Sequence, residues 1–111
     1  MDALAGDDLR AAVTLLNRAG GAYHRYQLGD GMVIEGDYDL GKYISHYDLP
    51  ANLAGATVLD VGTSSGFIAV ECARRGARVT ALDLWNMPRA LQLASSAFGV
   101  QVRYVKSNIL D

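Results

Sequence analysis

The sequence has little of what marks secreted, metal-binding or membrane proteins. Cys72 is the only cysteine among 111 residues, so no disulfide can form within the chain, and a reducing, cytoplasmic setting is expected. No apolar run approaches the roughly 18 residues of a membrane-spanning helix, and the acidic start of the chain lacks the apolar segment of a secretory signal. His24 and His46 have no partner at the spacing of a metal site. We therefore expect neither a membrane partner nor a metal.

The chain also lacks a strong charge of either sign. Ten Lys and Arg residues stand against twelve Asp and Glu residues, and the net charge is -2. Such a balance produces no long-range attraction to nucleic acid or to an anionic membrane. Hydrophobic residues make up 50% of the chain, which is enough for one small globular unit.

Two segments of different character follow each other. Residues 1–52 begin with an amphipathic helical pattern that Gly20 and Gly21 end, and then lose any period. A long stretch of this kind commonly forms a lid, although residues 32–34 have the composition of a short strand. We predict an N-terminal helix with a lid-like, irregular cover at 1–52, and a second unit at 53–111.

The second segment alternates strand and helix patterns. Strands are predicted at 57–61, 78–82 and 100–105, and helices at 67–75 and from Pro88 to Phe98. This alternation predicts an α/β fold with a parallel sheet. Ligands of such sheets bind beyond the carboxyl ends of the strands, where glycines, hydroxyl side chains and acids gather in this sequence.

The loop from Gly62 to Gly66 joins the first of these strands to its helix. A phosphate-binding P-loop needs Lys and then Ser or Thr after its second glycine, whereas Phe67 follows Gly66. A dinucleotide fingerprint needs glycines near the positions of Ser64 and Phe67. Both patterns fit poorly, and a nicotinamide-dependent oxidoreductase is a weak alternative.

The stretch from Asp60 to Gly66 resembles the first motif of class I S-adenosylmethionine-dependent methyltransferases, acid-x-Gly-x-Gly-x-Gly, with Ser64 at the middle glycine. Their cofactor carries an ammonium, a carboxylate and a sulfonium instead of a phosphate. Gly62 would let the backbone approach it closely, and amides at the helix start would receive the carboxylate. Asp60 supplies a negative field for the two positive groups.

The resemblance continues at the ends of the next two strands. Asp83 would accept the ribose hydroxyls, Leu84 and Trp85 would pack on the adenine, and Asn108 with Ile109 would read its edge, where the family usually has Asp in place of Asn108. The resemblance thus implies S-adenosylmethionine as cofactor and names no catalytic residue. The candidate cofactor-binding residues are Asp60, Gly62, Thr63, Ser64, Gly66, Phe67, Asp83, Leu84, Trp85, Asn108 and Ile109.

A narrower resemblance covers roughly residues 22 to 111. The sequence resembles wobble-uridine tRNA methyltransferase-like proteins at Tyr23-His24, at residues 28–31 and 47–55, and at Gly66-Phe67. The broader resemblance to class I methyltransferases implies a partial Rossmann-like, three-layer fold that holds the 3-2-1 side of the sheet. It also implies methyl transfer to an oxygen or nitrogen nucleophile of a small molecule or tRNA.

The sequence stops soon after the third predicted strand, and two interpretations follow. We expect a fragment of a longer enzyme, incomplete for catalysis by itself. Alternatively, the sheet is completed by self-association through the exposed edge of its first strand. The alternative function is then a non-catalytic, truncated module for cofactor binding or assembly.

Overall fold

The computed structural model describes residues 4–110. Residues 1–3, which begin the acidic N-terminal stretch, and residue 111, which ends the second predicted segment, lie outside the described residues. The elements are α1 (Gly6–Arg18), β1 (Ala22–His24), β2 (Tyr26–Gly29), β3 (Met32–Ile34), β4 (Gly36–Tyr38), two 3-10 turns (Leu40–Lys42 and Ile44–Tyr47), β5 (Thr57–Val61), α2 (Phe67–Arg74), β6 (Arg78–Asp83), α3 (Arg89–Phe98) and β7 (Val102–Lys106).

A parallel sheet in the order β5-β6-β7 forms the second half of the chain. Thr57 pairs with Arg78 at one end of the sheet, and Asp83 pairs with Lys106 at the other. The α/β class and the parallel sheet are therefore confirmed, and the order agrees with a 3-2-1 arrangement. The first strand has the predicted bounds, whereas the third begins at Val102 rather than Val100.

Helix α2 packs against one face of the sheet through Ala69, Val70 and Cys72, all of which are buried. The exposed side chains along β5 belong to the other face, where Leu59 is 60% and Val61 45% exposed. In the described part of the chain β5 pairs with β6 alone, so it is an edge strand there. The three-layer arrangement thus stays a prediction.

The N-terminal cover differs from its prediction, because residues 22–38, expected to be irregular apart from a short strand at 32–34, form four short strands. β2 and β3 form an antiparallel hairpin, and β1 pairs in parallel with β4. The hairpin turn uses Asp30 and Gly31, both with positive φ, as tight hairpins require. A Cβ at Gly36 would lie 2.3 Å from the carbonyl carbon of His24, so the close pairing of β1 with β4 needs glycine there.

One hydrophobic core joins the cover to the sheet unit. Leu9 and Val13 of α1, Tyr26 and Ile34 of the hairpin, and Leu91 of α3 belong to the same buried cluster. The cover is therefore packed onto the sheet unit, while the boundary between residues 52 and 53 stays a prediction. None of the helices in residues 4–110 has the length and apolarity to cross a lipid bilayer.

Candidate cofactor-binding site

The loop after β5 is tied to the end of β6 by backbone hydrogen bonds. The amides of Gly62 and Thr63 both donate to the carbonyl oxygen of Leu82, at 2.8 and 3.2 Å. The Thr63 hydroxyl donates to Asp60 Oδ2 at 2.8 Å, so these two candidates are in direct contact. The loop is thereby fixed at the carboxyl edge of the sheet, where ligands of this fold class bind.

Asp83 links the two strand ends. Its Oδ2 accepts the Ser64 amide at 2.8 Å and its Oδ1 accepts the Leu84 amide at 2.7 Å. A carboxylate has about four lone-pair sites, so both oxygens can accept further hydrogen bonds. The Ser107 amide donates to the Asp83 carbonyl at 2.9 Å and draws the loop after β7 to the same place.

Ser64 and Gly66, in the second half of the loop, have positive φ angles. Gly66 has a φ of 90°, and a Cβ there would lie 2.7 Å from Leu91 Cδ1, so this position requires glycine. Ser64 has a φ of 55°, in the left-handed region that favours glycine. The family's middle glycine corresponds to this residue, and here Ser64 adopts the same region at a cost of about 1 kcal/mol.

The start of α2 presents unpaired amides. In the first backbone hydrogen bond of this helix, the Val70 amide donates to the Gly66 carbonyl at 2.9 Å. No side chain caps the helix. The amides of residues 67–69 therefore have no acceptor within the helix, which suits an anion such as a carboxylate. A Cβ at Gly62 would meet no atom within 4 Å, so its outer side is open to close approach by a ligand.

The predicted adenine-binding residues are exposed and lie beyond the ends of β6 and β7. Leu84, Trp85 and Ile109 are 50%, 70% and 63% exposed, so these side chains are not part of the hydrophobic core. The Tyr104 hydroxyl donates to the Trp85 carbonyl and connects β7 to this segment. Asn108 Oδ1 accepts the Leu110 amide at 2.9 Å, a local turn that competes with the predicted adenine contact.

Ser65 is a functional candidate that the sequence reasoning missed. It is 6% exposed, and its Oγ accepts the amides of Tyr23 and His24 at 2.9 and 3.1 Å. The Tyr26 hydroxyl donates to its carbonyl at 2.8 Å. Burial raises the pKa of Tyr26, and the charge of Asp60 adds to the rise. Strand β1 and the start of β2 thus dock directly onto the loop.

His24 lies in the same contact. It is 8% exposed, and its ring meets the Phe67 ring edge-on with centroids 6.2 Å apart. Burial lowers the pKa of His24, while the nearby negative charge of Asp60 opposes that shift. The sequence feature that points to this contact is the alternation at every second residue of His24, Tyr26 and Leu28. All three are buried, as is typical of one face of a strand.

A cavity of about 540 Å³ lies between the cover and α2, beside Phe67. Its charged lining is largely paired: Arg25 contacts Asp39 at 3.5 Å, and Arg74 contacts Glu71 at 3.8 Å. Of the predicted site residues only Phe67 lines it. The amides, acids and open glycine face lie instead at the strand ends, and we place the candidate site there. In the described residues no group of three or more metal-binding side chains occurs.

The chain is similar to curated O-methyltransferases. It is 44% identical over 62 residues to the ubiquinone biosynthesis O-methyltransferase of Pseudomonas putida (strain GB-1), which covers 55% of this chain and 27% of the relative. The protein of that name from Xanthomonas euvesicatoria pv. vesicatoria (strain 85-10) is 45% identical over 60 residues, 53% of this chain and 25% of the relative. That from Pseudomonas fluorescens (strain Pf0-1) is 42% identical over 62 residues, with coverages of 55% and 27%. No family model matches the chain.

The chain spans about a quarter of the length of these relatives. Over the matched part, these relatives support the enzyme class predicted from the sequence, a methyltransferase. The narrower resemblance to wobble-uridine tRNA methyltransferase-like proteins finds no support in these relatives.

Proposed function

We propose that this chain is the S-adenosylmethionine-binding part of a class I methyltransferase that methylates an oxygen nucleophile of a small molecule. The observation that carries the proposal is the hydrogen bond from the Ser64 amide to Asp83. This bond joins the glycine-containing loop to the acid at the next strand end. The loop would hold the amino-acid part of the cofactor, and the acid would hold its ribose.

The residues present fit this cofactor. Gly62 leaves room for the backbone to approach a ligand, and the unpaired amides of α2 suit a carboxylate. Asp60 brings negative charge to the positive groups, and Asp83 retains lone pairs for two hydroxyls. Leu84 and Trp85 offer exposed apolar surface for a purine. The loop at Asn108 and Ile109 follows β7, the strand next to β6.

When bound, the cofactor supplies an electrophilic methyl group on its sulfonium. The chain's own residues would bind the two ends of the cofactor and orient it, and the cover that docks on Ser65 would exclude water from that side of the loop. Alignment and exclusion of water are what the protein contributes in such reactions. The relatives, whose names specify O-methyltransferase, favour an oxygen acceptor over a nitrogen acceptor or a tRNA.

Calorimetric titration with S-adenosylhomocysteine and, separately, with NAD tests the proposal. We expect heat of binding with the first ligand and none with the second. Binding of NAD alone would indicate the oxidoreductase alternative, and binding of neither ligand would favour the assembly module.

The Asp83→Asn variant tests the assigned position of the ribose. We expect it to weaken S-adenosylhomocysteine binding by about 1.5 to 3 kcal/mol, the range for hydrogen bonds to a charged group. Asp8→Asn is the matched control, because it removes one exposed charge on α1. Equal affinities in the two variants would contradict this position.

A further inference from the structure

The cavity between the cover and α2 has the size and the lining of a ligand pocket. Its volume of about 540 Å³ lies in the range of small-molecule pockets, about 300–1,000 Å³. Phe67 and Val70 of α2, Ile44 of the cover and Phe98 of α3 form the apolar part of its lining. A molecule that enters the cavity can therefore bury an apolar body between two parts of the fold.

Gly41 keeps the cavity open beside Phe67. Unlike most glycines of the chain, Gly41 has a φ outside the left-handed region that favours glycine, so its backbone conformation suits other residues as well. A Cβ there would lie 3.8 Å from Phe67 Cζ, an ordinary contact, and 3.2 Å from Oδ1 of the Asp39 side chain. A larger side chain at this position would occupy space next to Phe67. The absence of a side chain at Gly41 thus preserves the cavity.

The charges around the cavity favour an anionic ligand. Three cationic side chains and two carboxylates line it. Asp39 is paired with Arg25 at 3.5 Å, and Glu71 is paired with Arg74 at 3.8 Å. Lys42 has no ion-pair partner within residues 4–110. An anionic group can therefore pair with Lys42 without displacing a carboxylate of the protein.

The rings at the cavity favour an aromatic body for the ligand. Phe67 and Tyr26 both line the cavity, and their ring centroids lie 5.3 Å apart. The Tyr26 hydroxyl donates to the Ser65 carbonyl, so Tyr26 offers a ligand its ring. The Arg74 guanidinium lies over the Phe98 ring, 3.8 Å from its centroid. Aromatic rings pack on one another in offset or edge-to-face arrangements, which adds to the gain from burial.

We propose that this cavity binds a small molecule with an aromatic ring and one carboxylate. The ring would pack against Phe67 and Val70, and the carboxylate would pair with Lys42. The cavity is separate from the candidate site at the strand ends, and it would bind this ligand with or without a cofactor there.

Titration with naphthalene-2-carboxylate, followed by nuclear magnetic resonance, tests the proposal. In chain labelled with carbon-13 in its isoleucine methyl groups, Ile44 reports on the cavity and Ile109, which is exposed beyond β7, reports on the strand ends. We expect the Ile44 signal to move until the site is saturated and the Ile109 signal to stay. An Ile44 signal that stays in place would overturn the proposal.

Two further ligands test the chemical class. The neutral naphthalene-2-carboxamide has the same rings and should bind about two- to fivefold more weakly, the range for an exposed ion pair. Octanoate carries the carboxylate without a ring and should also bind more weakly. Tighter binding of either ligand than of naphthalene-2-carboxylate would refute the proposed class.

The Lys42→Gln variant tests the ion pair. We expect it to bind the carboxylate and the carboxamide equally, because it lacks the cation. Arg103→Gln is the matched control, since Arg103 is exposed on β7 and outside the cavity, and it should keep the preference for the carboxylate. A preference that survives in Lys42→Gln would refute the pairing with Lys42.

The Gly41→Leu variant tests the position of the ring. The added side chain would take the space beside Phe67, so we expect binding about tenfold weaker or worse. Ser45→Leu is the control, because Ser45 is exposed and outside the cavity. Equal affinities in the two variants would contradict this position. Near-UV circular dichroism shows whether the variants are folded, and if Gly41→Leu is not, the unaltered chain and Lys42→Gln decide.

Addition of S-adenosylhomocysteine shows whether the two sites are separate. We expect the Ile44 signal to keep the position that saturation with naphthalene-2-carboxylate gives it. Displacement of the carboxylate would show that the two ligands share one site and would refute a second one. A chain that binds the carboxylate but not S-adenosylhomocysteine would contradict the proposed function and leave the cavity's role intact.

Discussion

The Tyr26 hydroxyl donates a 2.8 Å hydrogen bond to the carbonyl oxygen of Ser65. Tyr26 is 2% exposed, so this bond lies inside the protein, between the second strand of the cover and the loop that follows the parallel sheet's first strand. Together with the two amides that donate to Ser65 Oγ, it makes one residue of the loop the attachment point of the cover.

We expect Tyr26→Phe to lower the free energy of unfolding by about 1–3 kcal/mol, because the Ser65 carbonyl would then be buried without that donor. Urea unfolding followed by circular dichroism measures the change. Tyr47→Phe is the control, since Tyr47 is 47% exposed and the loss of its hydroxyl should have little effect. Equal stabilities of the two variants would show that the bond to Ser65 contributes nothing.

Gly66→Ala should destabilise the protein more than a substitution at another glycine of similar conformation. Its Cβ would overlap Leu91 Cδ1 at 2.7 Å, in addition to the strain of a φ of 90°. Gly99→Ala is matched, because Gly99 has a φ of 65° with no atom within 4 Å of the added Cβ. We expect a loss of about 1–2 kcal/mol at Gly99 from strain alone, and a clearly larger loss at Gly66. Thermal unfolding of both variants measures the difference, and equal losses would contradict the role assigned to Leu91.

The sheet unit could be predicted well because its signals are local. The β-branched run Thr57–Val61 forms a strand with the predicted bounds, and Asp83 stands at the end of the next strand. Each strand and helix there is long enough to show its own period. The same pattern predicts the position of the candidate site, because the carboxyl ends of parallel strands lie at one edge of the sheet.

The cover could not be predicted to the same extent, because its strands are three or four residues long and pair with distant residues. Ala22–His24 pairs with Gly36–Tyr38, and no local pattern announces this. Gly36 lies in a stretch whose sequence shows no periodic pattern, and yet it permits close contact of two backbones. The role of Ser65 likewise depends on the docked cover, which a loop sequence does not reveal.

Stability should depend on pH through His24. Burial lowers its pKa in the folded chain below the ordinary 6.5, although the charge of Asp60 opposes the shift. Above pH 6.5 His24 is mostly neutral in both states, and its full contribution to the free energy of unfolding is present. As the pH falls below 6.5, the unfolded chain binds a proton more readily than the folded chain, so the free energy of unfolding decreases. One proton changes this free energy by at most about 1.4 kcal/mol per pH unit.

Urea unfolding at about pH 7.5 and about pH 6 measures this effect before most carboxylates titrate. We expect the unaltered chain to lose stability at the lower pH and His24→Asn to lose less. His46 is exposed and present in both proteins, so it cancels in the comparison. An equal pH dependence in the two proteins would exclude His24 as its source.

Strand β5 leads to a last prediction, about association between copies of the chain. In the described residues its outer edge has no partner strand, and Leu59 and Val61 expose apolar side chains on the face away from α2. Unpaired edges of this kind pair with other chains, and the alternative interpretation, completion of the sheet by self-association, predicts that a second copy binds here. Sedimentation velocity over a range of concentrations should show a dimer that Leu59→Lys converts to monomer, because a charge on the strand opposes pairing. Leu15→Lys places the same charge on α1, where Leu15 is 65% exposed, and should leave the dimer intact. A chain that stays monomeric at all concentrations would refute the proposed pairing.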